Sequence, residues 1–146
     1  MRFAALLFAV MLAACSSSSF EPIRAHDVAV TLTFPGPCVT DVCDPAGSSG
    51  VLGLISVVNH GTATAYMETC GSVSFITQQF VHGKWVSLVN PAVSCVASPQ
   101  VALAAGDSLR TNGRFPPGRW RLLLGVATTA GMSDVVEATS NAVTVF

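Results

Sequence analysis

Three histidines, eight carboxylates and five cysteines are the side chains of this 146-residue chain that could carry acid–base, nucleophilic or metal chemistry. A nucleophile needs a base beside it and a third group to hold that base. Only His26, His60 and His82 can serve as imidazole bases. His26 adjoins Asp27, while His60 and His82 fall in expected hairpin turns, where an exposed polar side chain is ordinary. Their scatter lacks the His-x-x-x-His spacing that sets two metal ligands on one helix face. No Gly-x-Ser-x-Gly elbow occurs. Glycoside chemistry requires two acids about 5–10 Å apart in a cleft. Here Asp41, Asp44, Asp107 and Asp134 sit in turn-like segments, and Glu68 and Glu137 are the acids placed near strands. Asp41 and Asp44 share a loop without the spaced oxygen set of an EF-hand. Gly47-Ser48-Ser49-Gly50 lacks the lysine and helix of a P-loop. No catalytic residue, metal ligand or cofactor is expected.

Arg110, Arg114, Arg119 and Arg121 form the one charge cluster. They flank Pro116-Pro117-Gly118, so the expectation is two strands of a hairpin with the four guanidiniums on one face. Such a face suits an anionic partner, such as a lipopolysaccharide phosphate or an acidic protein surface. A solvated face that discourages edge pairing is the plainer use of the same residues. Trp85 and Trp120 are candidate ligand platforms. Trp120 shares a strand face with Leu122 and Leu124, which places it in a core, whereas Trp85 follows a turn.

The amino terminus reads as a targeting segment. Arg2 supplies a positive start, and Phe3 to Leu12 is an apolar run of ten residues, too short to span a bilayer as a helix. Ala13 and Ala14 then precede Cys15, and four serines end the run. Leu12-Ala13-Ala14-Cys15 resembles the lipobox of bacterial lipoproteins. The resemblance implies removal of residues 1–14, a diacylglyceryl thioether on Cys15 and a further amide-linked chain such as palmitate. Two or more chains anchor stably where one does not. Serine rather than aspartate at position 16 points to the outer membrane in a cell that has one.

With Cys15 carrying lipid, Cys38, Cys43, Cys70 and Cys95 remain. An even count in an exported domain reads as two disulfides, with three pairings open. Cys38–Cys43 and Cys70–Cys95 are the favoured pairs. The first encloses a short loop between prolines. The second closes about 25 residues and stabilises by roughly 2–4 kcal/mol in the chain-entropy picture. Zinc is disfavoured, because Cys70 and Cys95 have no close cysteine or histidine neighbour.

Residues 15–25 form a short polar tether, and 26–146 form one domain, large enough to bury a core. Charged residues are 10% of the chain and the formal net charge is −1. That excludes the basic field nucleic-acid binding requires. It also argues against disorder in a chain that is 51% hydrophobic.

Strands follow from periodicity. Val28, Val30, Leu32 and Phe34 alternate with polar or small residues. Val51 to Val58 is nearly continuous apolar sequence, the pattern of a strand buried on both sides or at a sandwich centre. Strands are expected over residues 62–68, 73–80, 85–89, 101–103, 108–115, 119–128 and 141–146. His82-Gly83-Lys84, Gly106-Asp107 and Pro116-Pro117-Gly118 are the turns. No 3.6-residue apolar period survives for three turns, so seven to nine short strands in an all-β sandwich are expected.

The order of short features from Val28 to Phe146 resembles the bacterial immunoglobulin-like domains of envelope lipoproteins. These features are Asn59 and Gly61 after an apolar strand, Cys70-Gly71, the Gly83-Lys84-Trp85 hairpin and Cys95. They continue with the Gly106 turn, Pro117-Gly118-Arg119-Trp120-Arg121-Leu122 and the terminal Ser140-Asn141-Ala142-Val143-Thr144-Val145. The family more often has Tyr at the place of Trp120. The resemblance implies an immunoglobulin-like β-sandwich, supports a Cys70–Cys95 bridge and implies no single activity. The expectation is therefore a lipid-anchored, non-catalytic binding or structural module whose partner is an envelope protein or glycan. The chain is similar also to bacterial proteinase inhibitors of comparable sandwich shape, which makes an exported inhibitor the alternative.

Overall fold

The structure is a computed structural model, described over residues 23–34, 50–88 and 99–146. The expected leader, Cys15, the loop bearing Cys38, Asp41, Cys43 and Asp44, and the segment bearing Cys95 lie outside the described residues. Among the described residues there is no α-helix, and so none long and apolar enough to cross a membrane.

Among the described residues ten strands follow a 3-10 turn at Ala25–Asp27. Strand β1 (Val28–Thr33), β2 (Val51–Asn59) and β7 (Ser108–Phe115) form a three-stranded antiparallel sheet in the order β1-β2-β7. Strand β4 (Ile76–Val81), β5 (Lys84–Leu88), β8 (Gly118–Val126) and β10 (Val143–Val145) form a second antiparallel sheet in the order β10-β8-β4-β5. Strand β9 (Val136–Thr139) also pairs with β8. A two-stranded ribbon, β3 (Ala65–Glu68) with β6 (Gln100–Leu103), completes the set.

Period-two alternation gives each main sheet one apolar face. Val28, Val30 and Leu32 of β1 and Ile55 and Val57 of β2 join Trp120, Leu122, Leu124 and Val126 of β8 in one buried cluster. Burying each such side chain is worth about 1.5–3 kcal/mol. Two antiparallel sheets that share one core are consistent with the expected β-sandwich. The ribbon closes one end. Ala65, Met67 and Leu103 enter the core, and Tyr66 exchanges two backbone hydrogen bonds with Ala127 just beyond β8. Ile23, inside the stretch expected as tether, is also core at 5% exposure, so the folded unit takes in at least part of that stretch.

Asn59, at the end of β2, is wholly buried and fastens this end. Its Nδ2 donates to the carbonyls of Ala63 and Leu103, and its Oδ1 accepts from the Gly61 N–H. Three bonds to backbone groups on two segments satisfy a polar side chain that burial would otherwise penalise.

Three particulars differ from the sequence reading. The apolar run of β2 is central in its sheet yet buried on one face only: Leu52 and Leu54 are 44% and 42% exposed on the other. Strand β9 went unexpected, because its four residues are too few to establish a period. It is separated from β10 by a β-bulge. Leu123 pairs with Thr139 and Trp120 with Val143, so β8 advances three positions while its partner advances four. Ser140 bridges the interruption: its Oγ accepts from Leu122 N–H at 2.8 Å and its N–H donates to Leu122 O at 2.9 Å.

The third difference is that β7 and β8 are not a hairpin. Strand β7 pairs with β2, and β8 pairs with β4, β9 and β10, so Pro116-Pro117-Gly118 carries the chain from one sheet to the other. A two-residue hairpin of the favoured type needs positive φ at both central positions, which proline cannot adopt. Gly118 has φ +144, and Trp120 Nε1 donates to Pro116 O at 2.8 Å, tying the crossover to the core. Beneath it Phe34, Phe115 and Trp120 stack edge to face, with centroids 5.6 and 5.9 Å apart. Gly53 makes room for this stack, since a Cβ there would lie 2.9 Å from both phenylalanine rings.

Candidate binding face

The crossover decides where the arginines go. Arg110 and Arg114 lie on the outer face of the three-stranded sheet, opposite Ser56 and Leu52 in register. Arg119 and Arg121 alternate with the buried Trp120 and Leu122, so they lie on the outer face of the other sheet. The four expected on one hairpin face are thus divided between the two broad sides of the molecule. None has an ion-pair partner among the described residues.

The two pairs differ in their surroundings. Across β4 and β5, His82 (φ 49) and Gly83 (φ 81) form a two-residue turn of the kind that matches strand twist. That turn sets the register and places Phe80 opposite Trp85, with ring centroids 5.2 Å apart. Pairing of β4 with β8 then brings Arg119 and Arg121 beside these rings. The Arg121 guanidinium carbon lies 4.4 Å from the Trp85 ring centroid. The Arg119 guanidinium carbon lies 5.2 Å from that of Phe80 and 5.7 Å from that of Trp85. These are cation–π distances. Arg121 Nε also donates to Gln78 Oε1 at 2.7 Å, and Gln78 Nε2 donates to Ser87 Oγ at 3.0 Å. A chain of bonds across three strands therefore holds this guanidinium over the indole. Arg110 and Arg114 have no ring beneath them among the described residues.

Trp120 is 1% exposed and is core, as its strand face implied, while Trp85 is half-buried on the outer face. Sequence reading passed over Phe80 and Gln78. Counting back from the two-residue turn would have paired Phe80 with Trp85. No local signal places Gln78 beside Arg121, because that contact depends on the β4–β8 register.

The histidines do not converge with a catalytic partner set. His26 Nε2 lies 3.5 Å from Asp27 Oδ1 in the 3-10 turn, His60 follows Asn59, and His82 sits at the hairpin tip. His60 and Asp27 help line a cleft of about 190 Å³ with Ile23, Gly61 and Thr62. There the His60 N–H donates to Asp27 O at 2.7 Å, a backbone bond that orients no imidazole. Glu68 and Glu137 are exposed, on β3 and β9 respectively. Among the described residues no three of His, Cys, Asp and Glu group as metal ligands.

Asp134 has a perturbed titration. The Thr128 hydroxyl, first of its causes, holds its carboxyl below the usual aspartate range, aided by the Thr128 N–H and the Thr129 hydroxyl. These bonds organise the loop after β8. Cys70, the one cysteine among the described residues, is disulfide-bonded rather than a free thiol. No protein-family model matches the chain, and no curated protein matches it.

Proposed function

We propose that this chain is a membrane-anchored envelope lipoprotein carrying one immunoglobulin-like domain that acts as a non-catalytic binding module. The anchor is lipid on Cys15, and the domain meets its partner through the outer face of the β10-β8-β4-β5 sheet. The observation that carries the binding reading is the pair of exposed Arg119 and half-buried Arg121, held over Phe80 and Trp85 without a carboxylate partner among the described residues.

Strand order supports the immunoglobulin-like assignment. Immunoglobulin sandwiches pair the first, second and fifth strands (A, B and E) in one sheet, and the variable type extends the other to G-F-C-C′. With β3 and β6 set aside as the ribbon, β1-β2-β7 and β10-β8-β4-β5 follow that order. Trp120 supports it too. A tyrosine near the start of strand F bonds back to backbone a few residues upstream in those domains. Trp120 near the start of β8 does the same to Pro116. The Cys70 disulfide is assigned to Cys95, and Cys38 to Cys43.

Crosslinking in the native envelope followed by mass spectrometry tests the reading. The expected result is acylated Cys15 and a recurrent partner joined through residues near Arg119 and Trp85. Unchanged processing and detergent partitioning in Cys15→Ser would refute the anchor. Stoichiometric slowing of endopeptidases by the purified protein would support an exported inhibitor instead.

A further inference from the structure

The ledge formed by Phe80 and Trp85 carries two like charges side by side. Arg119 and Arg121 occupy alternate positions of one strand and point from the same face, about 7 Å apart along the backbone. Like charges so placed repel. Arg121 is fixed by Trp85 and Gln78; of its guanidinium nitrogens only Nε is engaged, leaving the terminal pair free among the described residues. The Arg119 side chain donates no hydrogen bond among the described residues and is exposed. The Arg121 fork is therefore preorganised, and both guanidiniums stand beside each other without a carboxylate among the described residues.

The chemistry of such a pair selects its ligand. A guanidinium fork matches the paired oxygens of carboxylate or phosphate. A single carboxylate neutralises one of the two charges. A phosphate monoester carries about −1.5 to −2 at neutral pH and offers three acceptor oxygens, enough for both forks. We infer that Arg119 and Arg121 bind a phosphate-monoester headgroup displayed on the membrane to which the chain is tethered. The phosphate chemistry stands on the geometry alone; the membrane source rests on the lipid-anchor reading above.

The test uses the mature protein inserted by its own anchor into phosphatidylcholine vesicles. The mole fraction of phosphatidate, a monoester, is raised in one series and that of phosphatidylglycerol, a diester, in another. Tryptophan emission is the readout: Trp120 is buried, so a change reports Trp85. The expected result is a saturable change at a phosphatidate fraction at least about 5-fold below the phosphatidylglycerol fraction giving the same signal. Arg119→Gln/Arg121→Gln abolishes it. Arg121→Lys keeps the charge and loses most of the change, because lysine lacks the planar fork. Arg110→Gln/Arg114→Gln removes the same charge from the opposite side and leaves the response within about twofold. Equal loss in both double variants, or an unchanged response in the first, overturns the site. A response to free inorganic phosphate but none to phosphatidate overturns the membrane source. Failure of the protein to remain on plain vesicles refutes the anchor and not the ledge, which the inorganic phosphate titration then decides by itself.

Discussion

The side-chain amide of Asn141 clasps both backbone groups of Leu32. Its Oδ1 accepts from Leu32 N–H at 2.8 Å, and its Nδ2 donates to Leu32 O at 2.9 Å. Leu32 lies in β1, whose other edge is bonded to β2, while Asn141 lies in the bulge of the opposite sheet. One amide thus imitates a strand partner for β1 and links the two layers through polar contacts.

Replacing that amide should loosen the edge. Asn141→Ala removes both bonds next to a fully buried leucine and lowers stability by about 1–3 kcal/mol. Urea denaturation checks the magnitude. Hydrogen exchange at the Leu32 amide checks the location, because exchange there quickens more than at Val57.

Trp120 combines the largest fully buried side chain with a directed bond to Pro116. Trp120→Phe keeps most of the ring and loses the donor, at a cost of about 1–3 kcal/mol. Trp120→Ala opens a cavity as well and costs about 3–5 kcal/mol. The gap between the two variants in equilibrium unfolding separates packing from the bond.

Asp134 makes the loop after β8 sensitive to acid. Its folded-state pKa is depressed, so its contribution is complete above the unfolded value and is lost as pH falls through the folded one. The unfolded value is about 3.9. Melting temperature should therefore decline below about pH 4 in the native chain. Asp134→Asn should flatten that part of the decline, leaving whatever other acids contribute. Thermal scans between pH 2 and 7 compare the two.

Cys70 offers a test of the proposed pairing. Non-reducing peptide mapping should recover Cys70 joined to Cys95 and Cys38 joined to Cys43. Cys70→Ser should lower stability by about 2–4 kcal/mol if the bridge closes a loop of about 25 residues. A map joining Cys70 to Cys38 or Cys43 would reject the assignment.

Strand-forming segments were the legible part of this chain, because alternation is local. The inward set Val28, Val30 and Leu32 and the place of Trp120 follow from period two alone. The site was half legible. Arg119, Arg121 and Trp85 stand out by type, and the hairpin turn fixes Phe80 against Trp85. Their assembly was not, since it depends on which strand β8 joins. Pro116-Pro117 held part of the needed information: two fixed φ angles exclude the primed two-residue turn that a tight β7–β8 hairpin favours, which counts against all four arginines sharing one hairpin face. The one-residue bulge at Ser140 was hidden for the opposite reason, because no glycine or proline marks it.

The layer-changing step at Pro116 and Pro117 gives the molecule two cationic flanks that look away from each other. Copies crowded on a shared surface would meet plus against plus if they tried to stack broadside. Mutual repulsion would then act as a built-in spacer, keeping neighbours apart and each flank available, and it would fade as salt shortens the reach of the field.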